Sequence, residues 1–325
     1  MKKVLLTAGG LALCAALAEG VFLLQFPLDP WKLAAFMSCF ALILGGFVGL
    51  TSPAFLRQLR HSAVASGWMA LGTPFLLLVP YLIFALGTGT FSLWGLGKLA
   101  AYTAVPTLLV LPDRLHRAER VGWRDFAAML ALGLPVSAGW LSGIWTWPEE
   151  VYFFRPLFCV CVGGYSFLVI RNLEDVGYRL GFRKRDILDG LVNFAGFALV
   201  GIPLGTALAF IRFHPGTGTV PEFLIQLFGI YITIAIPEEL LFRGILQNFL
   251  VKSFSGKRRD LYALVLASVV FGMSHLHHAP VPNWRYAILA ALAGMFYGNA
   301  FRTRRRLSSP ALTHALVDTV WHFWF

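Results

Sequence analysis

The chain has 325 residues, 58% of them apolar and only 13% charged, with a mean hydropathy of +0.70. Soluble domains run at about 45–50% apolar and about 25% charged, so a soluble domain, a disordered chain and a coiled coil are excluded. The net charge of +11 does not point to nucleic acid, because the basic residues sit in short segments between long unbroken apolar runs, a pattern that also excludes a porin-type barrel.

Eleven apolar runs predict eleven membrane helices in an all-α, polytopic protein. The first, 4–26, follows Met1-Lys2-Lys3. Ala16-Leu17-Ala18 offers a signal-peptide cleavage signature there, but the run resumes at Val21 and reaches Phe26, so a retained helix is expected. The others cover 33–55, 67–87, 92–111, 126–146, 153–170, 188–211, 222–251, 261–278, 286–301 and 308–325. Cytoplasmic loops collect Lys and Arg. With the N-terminus inside, the inner segments hold 21 of the 27 basic residues, the outer ones hold only Lys32, Arg155, Arg212 and Arg285, and Lys98 and Arg243 fall within spans. Each basic loop, including Arg302, Arg304, Arg305 and Arg306, therefore reads as a topology signal. The longest inner loop, Arg171 to Asp189, mixes Tyr178, Leu180, Phe182 and Ile187 with its charges, and is expected to lie as a short amphipathic helix on the inner surface. Cys14, Cys39, Cys159 and Cys161 all fall inside apolar runs without CxxC spacing, and read as small hydrophobes.

A charge at mid-bilayer costs about 2.5–3.5 kcal/mol on insertion scales, so an ionisable group inside a span is a functional candidate by default. Glu19 and Lys98 have bland explanations, a polar seam between helices and snorkelling from a helix end. The remaining groups gather in the last third. The eighth span carries Pro237-Glu238-Glu239 and Arg243. Glu239 and Arg243 lie one helical turn apart and can neutralise each other, whereas Glu238 is turned by about 100° and left freer. The ninth span carries Phe271 and His275 on one face. The eleventh carries His314 and Asp318 one turn apart, with His322 a turn further on. Measured from the inner ends at 1.5 Å per residue, Glu238, His275, His314 and Asp318 lie at depths of about 20, 21, 10 and 16 Å. Three helices would thus bring these groups into one slab of the bilayer.

Peptide hydrolysis needs a base to activate water, donors for the developing oxyanion and a proton for the leaving amine. Glu238 with His275 suits the first task and His314 the second. Asp318 suits the fixing of a histidine tautomer or a direct part in the reaction. At these residues the sequence resembles the CAAX protease and bacteriocin-processing family of intramembrane proteases. That family's pattern of EExxxR, FxxxH and HxxxN or HxxxD on successive membrane helices is matched by Glu238-Glu239 with Arg243, by Phe271 with His275, and by His314 with Asp318. The resemblance implies a glutamic-type endopeptidase, with Glu238 as water-activating base beside His275 and with His314 and Asp318 near the oxyanion. Glu239, Arg243 and Phe271 are then structural or orienting. It implies a protease core over 148–325, after N-terminal helices over 1–147 that carry no recognised motif. The third motif holds Asp where the eukaryotic prenyl-protein endopeptidases hold Asn.

No cofactor is expected. Zinc is the alternative, because Glu238, His275 and His314 would form a His₂Glu set. The expected partners are the lipid bilayer and a membrane-associated protein or peptide substrate, not nucleic acid, and the expected location is a bacterial cytoplasmic membrane crossed many times. Two other functions compete: a non-catalytic membrane binding or immunity protein, and an ion-coupled transporter.

Overall fold

The computed structural model describes residues 29–114, 121–179, 181–214, 216 and 218–325, and contains no strand among them. The expected first helix and Glu19 lie outside the described residues. Two compact units divide the chain between Glu174 and Asp175.

The unit ending at Glu174 is built from α1 (Pro30–Gly49), α2 (Pro53–Ala65), α3 (Gly67–Thr88), α4 (Leu93–Asp113), α5 (Trp123–Ser137) and α6 (Phe154–Ile170). Starts are set by local chemistry. Asp29 Oδ1 caps α1 by accepting from Trp31 N–H at 2.8 Å, and Ser52 and Ser92 cap α2 and α4. Side-chain acceptors at these positions satisfy the first free N–H groups of a helix. The core of this unit is aromatic. Phe36 packs on Phe84 and Phe154, and Trp145 packs on Phe154 and Phe158. The tyrosine hydroxyls do not go unpaired: Tyr102 donates to Leu132 O at 2.7 Å and Tyr165 to Ala70 O at 3.0 Å. One ion pair is buried here, Arg171 Nε to Asp125 Oδ1 at 2.7 Å, while Asp125 Oδ2 also accepts the Gly122 N–H that opens α5. Cys39, Cys159 and Cys161 are buried and form no disulfide among the described residues. Cys14 lies outside the described residues. Trp31, Trp68, Trp94 and Trp123, each close to a helix start, are exposed, a pattern typical of membrane–water interfaces. Lys98 lies 5.7 Å from the ring centres of both Trp94 and Trp140, so its charge is met by aromatic faces.

The unit from Asp175 onward contains α7 (Lys184–Ala207), α8 (Val220–Ser253), α9 (Arg259–Met273), α10 (Trp284–Arg304) and α11 (Ser308–Trp324). α10 packs along α9, α7 and α11. Its small residues permit this: Gly294 sits against Ser268, Gly298 against Leu264 and Gln247, and Gly272 of α9 against the Ala287 carbonyl and Ala291. The basic run after α10 does more than orient the chain. Arg304 binds Asp189 at 2.7 Å, Arg305 binds Asp260 at 2.7 Å and Arg306 binds Asp186 at 2.9 Å. Three consecutive arginines thus tie the α10–α11 turn to α7 and α9. Gly177, in the left-handed region at φ +70°, lies flat against Arg305, where a Cβ would collide with the Arg305 carbonyl.

Five helices, α1, α3, α4, α7 and α8, are long and apolar enough to cross a membrane among the described residues. Among the described residues the expected runs fall on helices, with four differences. The run 33–55 breaks after Gly49, and most of α2 lies outside any expected run. The run 126–146 is helical only to Ser137, because Gly139 and Gly143 adopt φ values of +67° and +74° and turn the chain. The run 261–278 is helical only to Met273. Residues 171–179 and 181–183 are irregular rather than an amphipathic helix. Their apolar Leu173, Val176 and Tyr178 are buried, and Asn172, Asp175 and Gly177 take positive φ.

Candidate active site

α8 delivers the acidic pair through an irregular stretch of helix. Hydrogen bonding widens to the π pattern over Tyr231–Ala235 and again over Leu240–Gln247, leaving Ile236–Glu239 as one α turn between them. Such widenings recur at functional sites. Pro237 lies in this turn, where its missing N–H coincides with the change of pattern.

Glu239 and Arg243 are fully buried and pair at 2.9 Å through Oε2 and Nε, as the one-turn spacing implies. The second oxygen of Glu239, Oε1, lies 3.0 Å from His314 Nδ1. A carboxylate accepts, so Nδ1–H donates. Glu239 therefore links the α8 arginine to the α11 histidine. The other nitrogen of His314, Nε2, lies 3.4 Å from Asp318 Oδ2 and 3.9 Å from Glu238 Oε2. The Glu238 side chain is 32% exposed, yet its Oε2 has no hydrogen-bond partner among the described residues.

His275 lies just past the end of α9. Its Nδ1 is 2.8 Å from the Phe271 carbonyl, which can only accept, so Nδ1 carries the proton and Nε2 is the free nitrogen. Phe271 is the plate on which the site is assembled. Its ring lies 4.7 Å from that of His275, 5.8 Å from that of His314 and 4.9 Å from that of Phe242, and the Arg243 guanidinium stands 5.1 Å from its centre.

Glu238, His275, His314 and Asp318 all line one cavity of about 100 Å³, part of it open to the outside. Its remaining wall is almost wholly apolar, with Phe194 and Phe197 of α7, Leu289 and Ala293 of α10, and Val317 and Trp321 of α11. The four polar residues singled out in the sequence thus meet at one surface. His322 is exposed and packs on Phe323, and His277 and His278 are exposed beyond α9.

Two residues of the site escaped the sequence reading. Tyr297 stacks on His314, with ring centres 4.6 Å apart and planes 14° apart. Tyr286 meets His275 edge-on at 4.7 Å, and both tyrosines line the cavity. They are eleven residues apart on α10, about three full turns, and so share a face. That spacing was the available signal, but in a chain with 15% aromatic residues it does not stand out.

A catalytic zinc would need three or more of these donors converging on one point. Among the described residues no group of three His, Cys, Asp or Glu is arranged to hold a metal ion, so the His₂Glu alternative does not fit this arrangement.

Residues 220–320, from the start of α8 through Asp318, match the family model described as type II CAAX prenyl endopeptidase Rce1-like. No curated protein and no solved structure matches the chain. The matched segment contains all seven motif residues, from Glu238 to Asp318, and supplies the polar end of the cavity. This stretch of the chain is thus similar to the CAAX protease family that its motifs resemble.

Proposed function

We propose that this protein is an intramembrane endopeptidase that hydrolyses a peptide bond of a membrane-associated protein or peptide, using water activated by Glu238 with His275. The observation that carries this reading is the state of Glu238. It is a carboxylate with an unpartnered oxygen, held in an apolar-walled cavity with two histidines and a second carboxylate. Glu239 is already engaged by Arg243 and His314, which leaves Glu238 as the carboxylate available to take a proton from water.

In this mechanism water sits between Glu238 and the free Nε2 of His275. Glu238 accepts a proton as the water oxygen attacks the carbonyl carbon, and returns it to the departing amine. His314, fixed through Nδ1–H on Glu239, holds its Nε2 toward Glu238 and Asp318 and spaces the two carboxylates. The apolar wall supplies the surface for a hydrophobic portion of the substrate and excludes bulk water, which strengthens the electrostatic interactions at the reacting atoms. We further propose a multi-pass protein of a bacterial cytoplasmic membrane, with eleven crossings and its N-terminus inside. The basic segments support that orientation, and the exposed tryptophans near helix starts support the crossings.

The test is comparative membrane proteomics of cells lacking the protein, restored with either wild type or Glu238→Gln. The expected outcome is a membrane-associated polypeptide left uncleaved in both the null and the Glu238→Gln cells. Full processing by Glu238→Gln at normal protein level overturns hydrolysis and favours a binding or transport role.

A further inference from the structure

His314 meets acids at both ring nitrogens. Nδ1 lies 3.0 Å from Glu239 Oε1, and Nε2 lies 3.4 Å from Asp318 Oδ2 and 3.9 Å from Glu238 Oε2. Carboxylates accept, so both nitrogens donate and the ring is an imidazolium. Its Nε2–H is then a charged donor at the polar end of the cavity. All these contacts lie at the edge of the ring. They restrain the nitrogens but leave the ring plane weakly set, because the torsion that turns an imidazole has broad minima. Turning the plane swings Nε2–H away from the reacting atoms, so the site needs a contact to a face of this ring.

We propose that Tyr297 is a positioning residue for the hydrolysis: its ring, stacked on the His314 imidazolium, fixes the plane in which Nε2–H is presented. This inference rests on the hydrolytic reading above. The ring centres are 4.6 Å apart and the planes 14° apart, which lays a cation over the electron-rich face of an aromatic ring. Phe271 meets the same imidazole nearly at right angles from 5.8 Å and offers it no parallel face. Tyr297 is held in its turn. It is buried, its ring centre lies 5.9 Å from that of Phe271 with the planes at 69°, and the Arg243 guanidinium stands 5.9 Å from it. On α10 it falls between Gly294 and Gly298, whose missing side chains bring the helix against Ser268 and Leu264 of α9 and Gln247 of α8. The plate is thus anchored to the helix that carries Glu238 and the helix that leads to His275, while the ring it holds belongs to α11. The stacking face does this work, so a phenyl ring should serve as well as a phenol and an aliphatic side chain should not.

The experiment uses the full-length protein in phosphatidylethanolamine–phosphatidylglycerol vesicles. The probe is a farnesylated CAAX peptide carrying a fluorophore and a quencher, chosen because residues 220–320 match a CAAX prenyl endopeptidase model. Enzyme is in excess so that slow turnover is read, and the temperature is below the unfolding transition of every variant. Tyr297→Phe keeps the stacking face and is expected to keep wild-type kcat. Tyr297→Leu loses it, and kcat is expected to fall by about 10- to 10²-fold with KM nearly unchanged. His314→Gln has no imidazolium to hold, so adding Tyr297→Leu to it is expected to lower kcat no further. The same fractional loss in both backgrounds would make Tyr297 a general packing residue and overturns the role. Wild-type kcat in Tyr297→Leu overturns it too, and so does a loss in Tyr297→Phe equal to that in Tyr297→Leu, which would assign the effect to the hydroxyl. Each of these leaves hydrolysis standing when Glu238→Gln is inactive in the same vesicles. Full turnover by Glu238→Gln, or none by wild type, overturns the hydrolytic reading itself.

Discussion

Arg243 carries a permanent charge to a position with no solvent exposure, and its surroundings show how that is tolerated. Nε is satisfied by Glu239, while Nη1 and Nη2 have no hydrogen-bond partner among the described residues. The guanidinium instead stands 5.1 Å from the Phe271 ring centre and 5.9 Å from that of Tyr297. Desolvated cation–π contacts of this kind contribute about 2 kcal/mol. Removing one partner of a buried ion pair strands the other, at a cost of about 3–5 kcal/mol. Arg243→Met is therefore expected to lower stability by about that amount in detergent unfolding measurements. It should also depress turnover, because the freed Glu239 no longer holds His314 at a fixed angle. A variant with wild-type stability would show that the pair is dispensable. The same residues mark the reach of the sequence. The one-turn spacing of Glu239 and Arg243 predicts their pairing, but nothing in a linear pattern shows that the second oxygen of Glu239 reaches 75 residues along the chain to His314.

At the scale of elements, the crossing of α9 and α10 controls the site, because α9 ends just before His275 and α10 carries both tyrosines. The crossing depends on Gly272, where any side chain would meet the Ala287 carbonyl and Ala291. Gly272→Val should push the helices apart, destabilise the protein by about 1–3 kcal/mol and reduce activity. A melting curve and a turnover assay on the same preparation check both, and an unchanged melting curve would refute the close-packing argument. Helix positions were legible because apolar runs and their polar breaks are strong local signals. The failures have local causes as well. Gly139 and Gly143 ended a helix inside an apolar stretch, and the segment 171–183 had an amphipathic composition but was claimed by burial of Leu173, Val176 and Tyr178. The tyrosines of α10 were missed because aromatic residues are the ordinary filling of such helices, and only the tertiary arrangement separates a packed ring from one that faces a cavity.

For the whole molecule, the decisive question is which loops face which side. The loop holding Lys257 and the turn holding His277 lie beyond opposite ends of α9 and are exposed. The described native cysteines, Cys39, Cys159 and Cys161, are buried, so they should react slowly with an impermeant maleimide. Single cysteines at these two positions are expected to label from opposite sides, Lys257→Cys only after the inner face is opened and His277→Cys from outside. Labelling of both from one side would refute the proposed crossing of α9. The family match covers only the segment from 220 to 320, so the aromatic-cored unit before Asp175 carries no functional assignment from it. In that unit the sequence disclosed helices but no chemistry.

The turn between α10 and α11 answers to three aspartates through Arg304, Arg305 and Arg306, and this leaves the last helix no freedom to ratchet. A slip of one residue would rotate α11 by about 100° and carry His314 and Asp318 away from Glu238 together. Lesions at that rim would therefore masquerade as defects in catalysis, although no atom they alter lines the cavity.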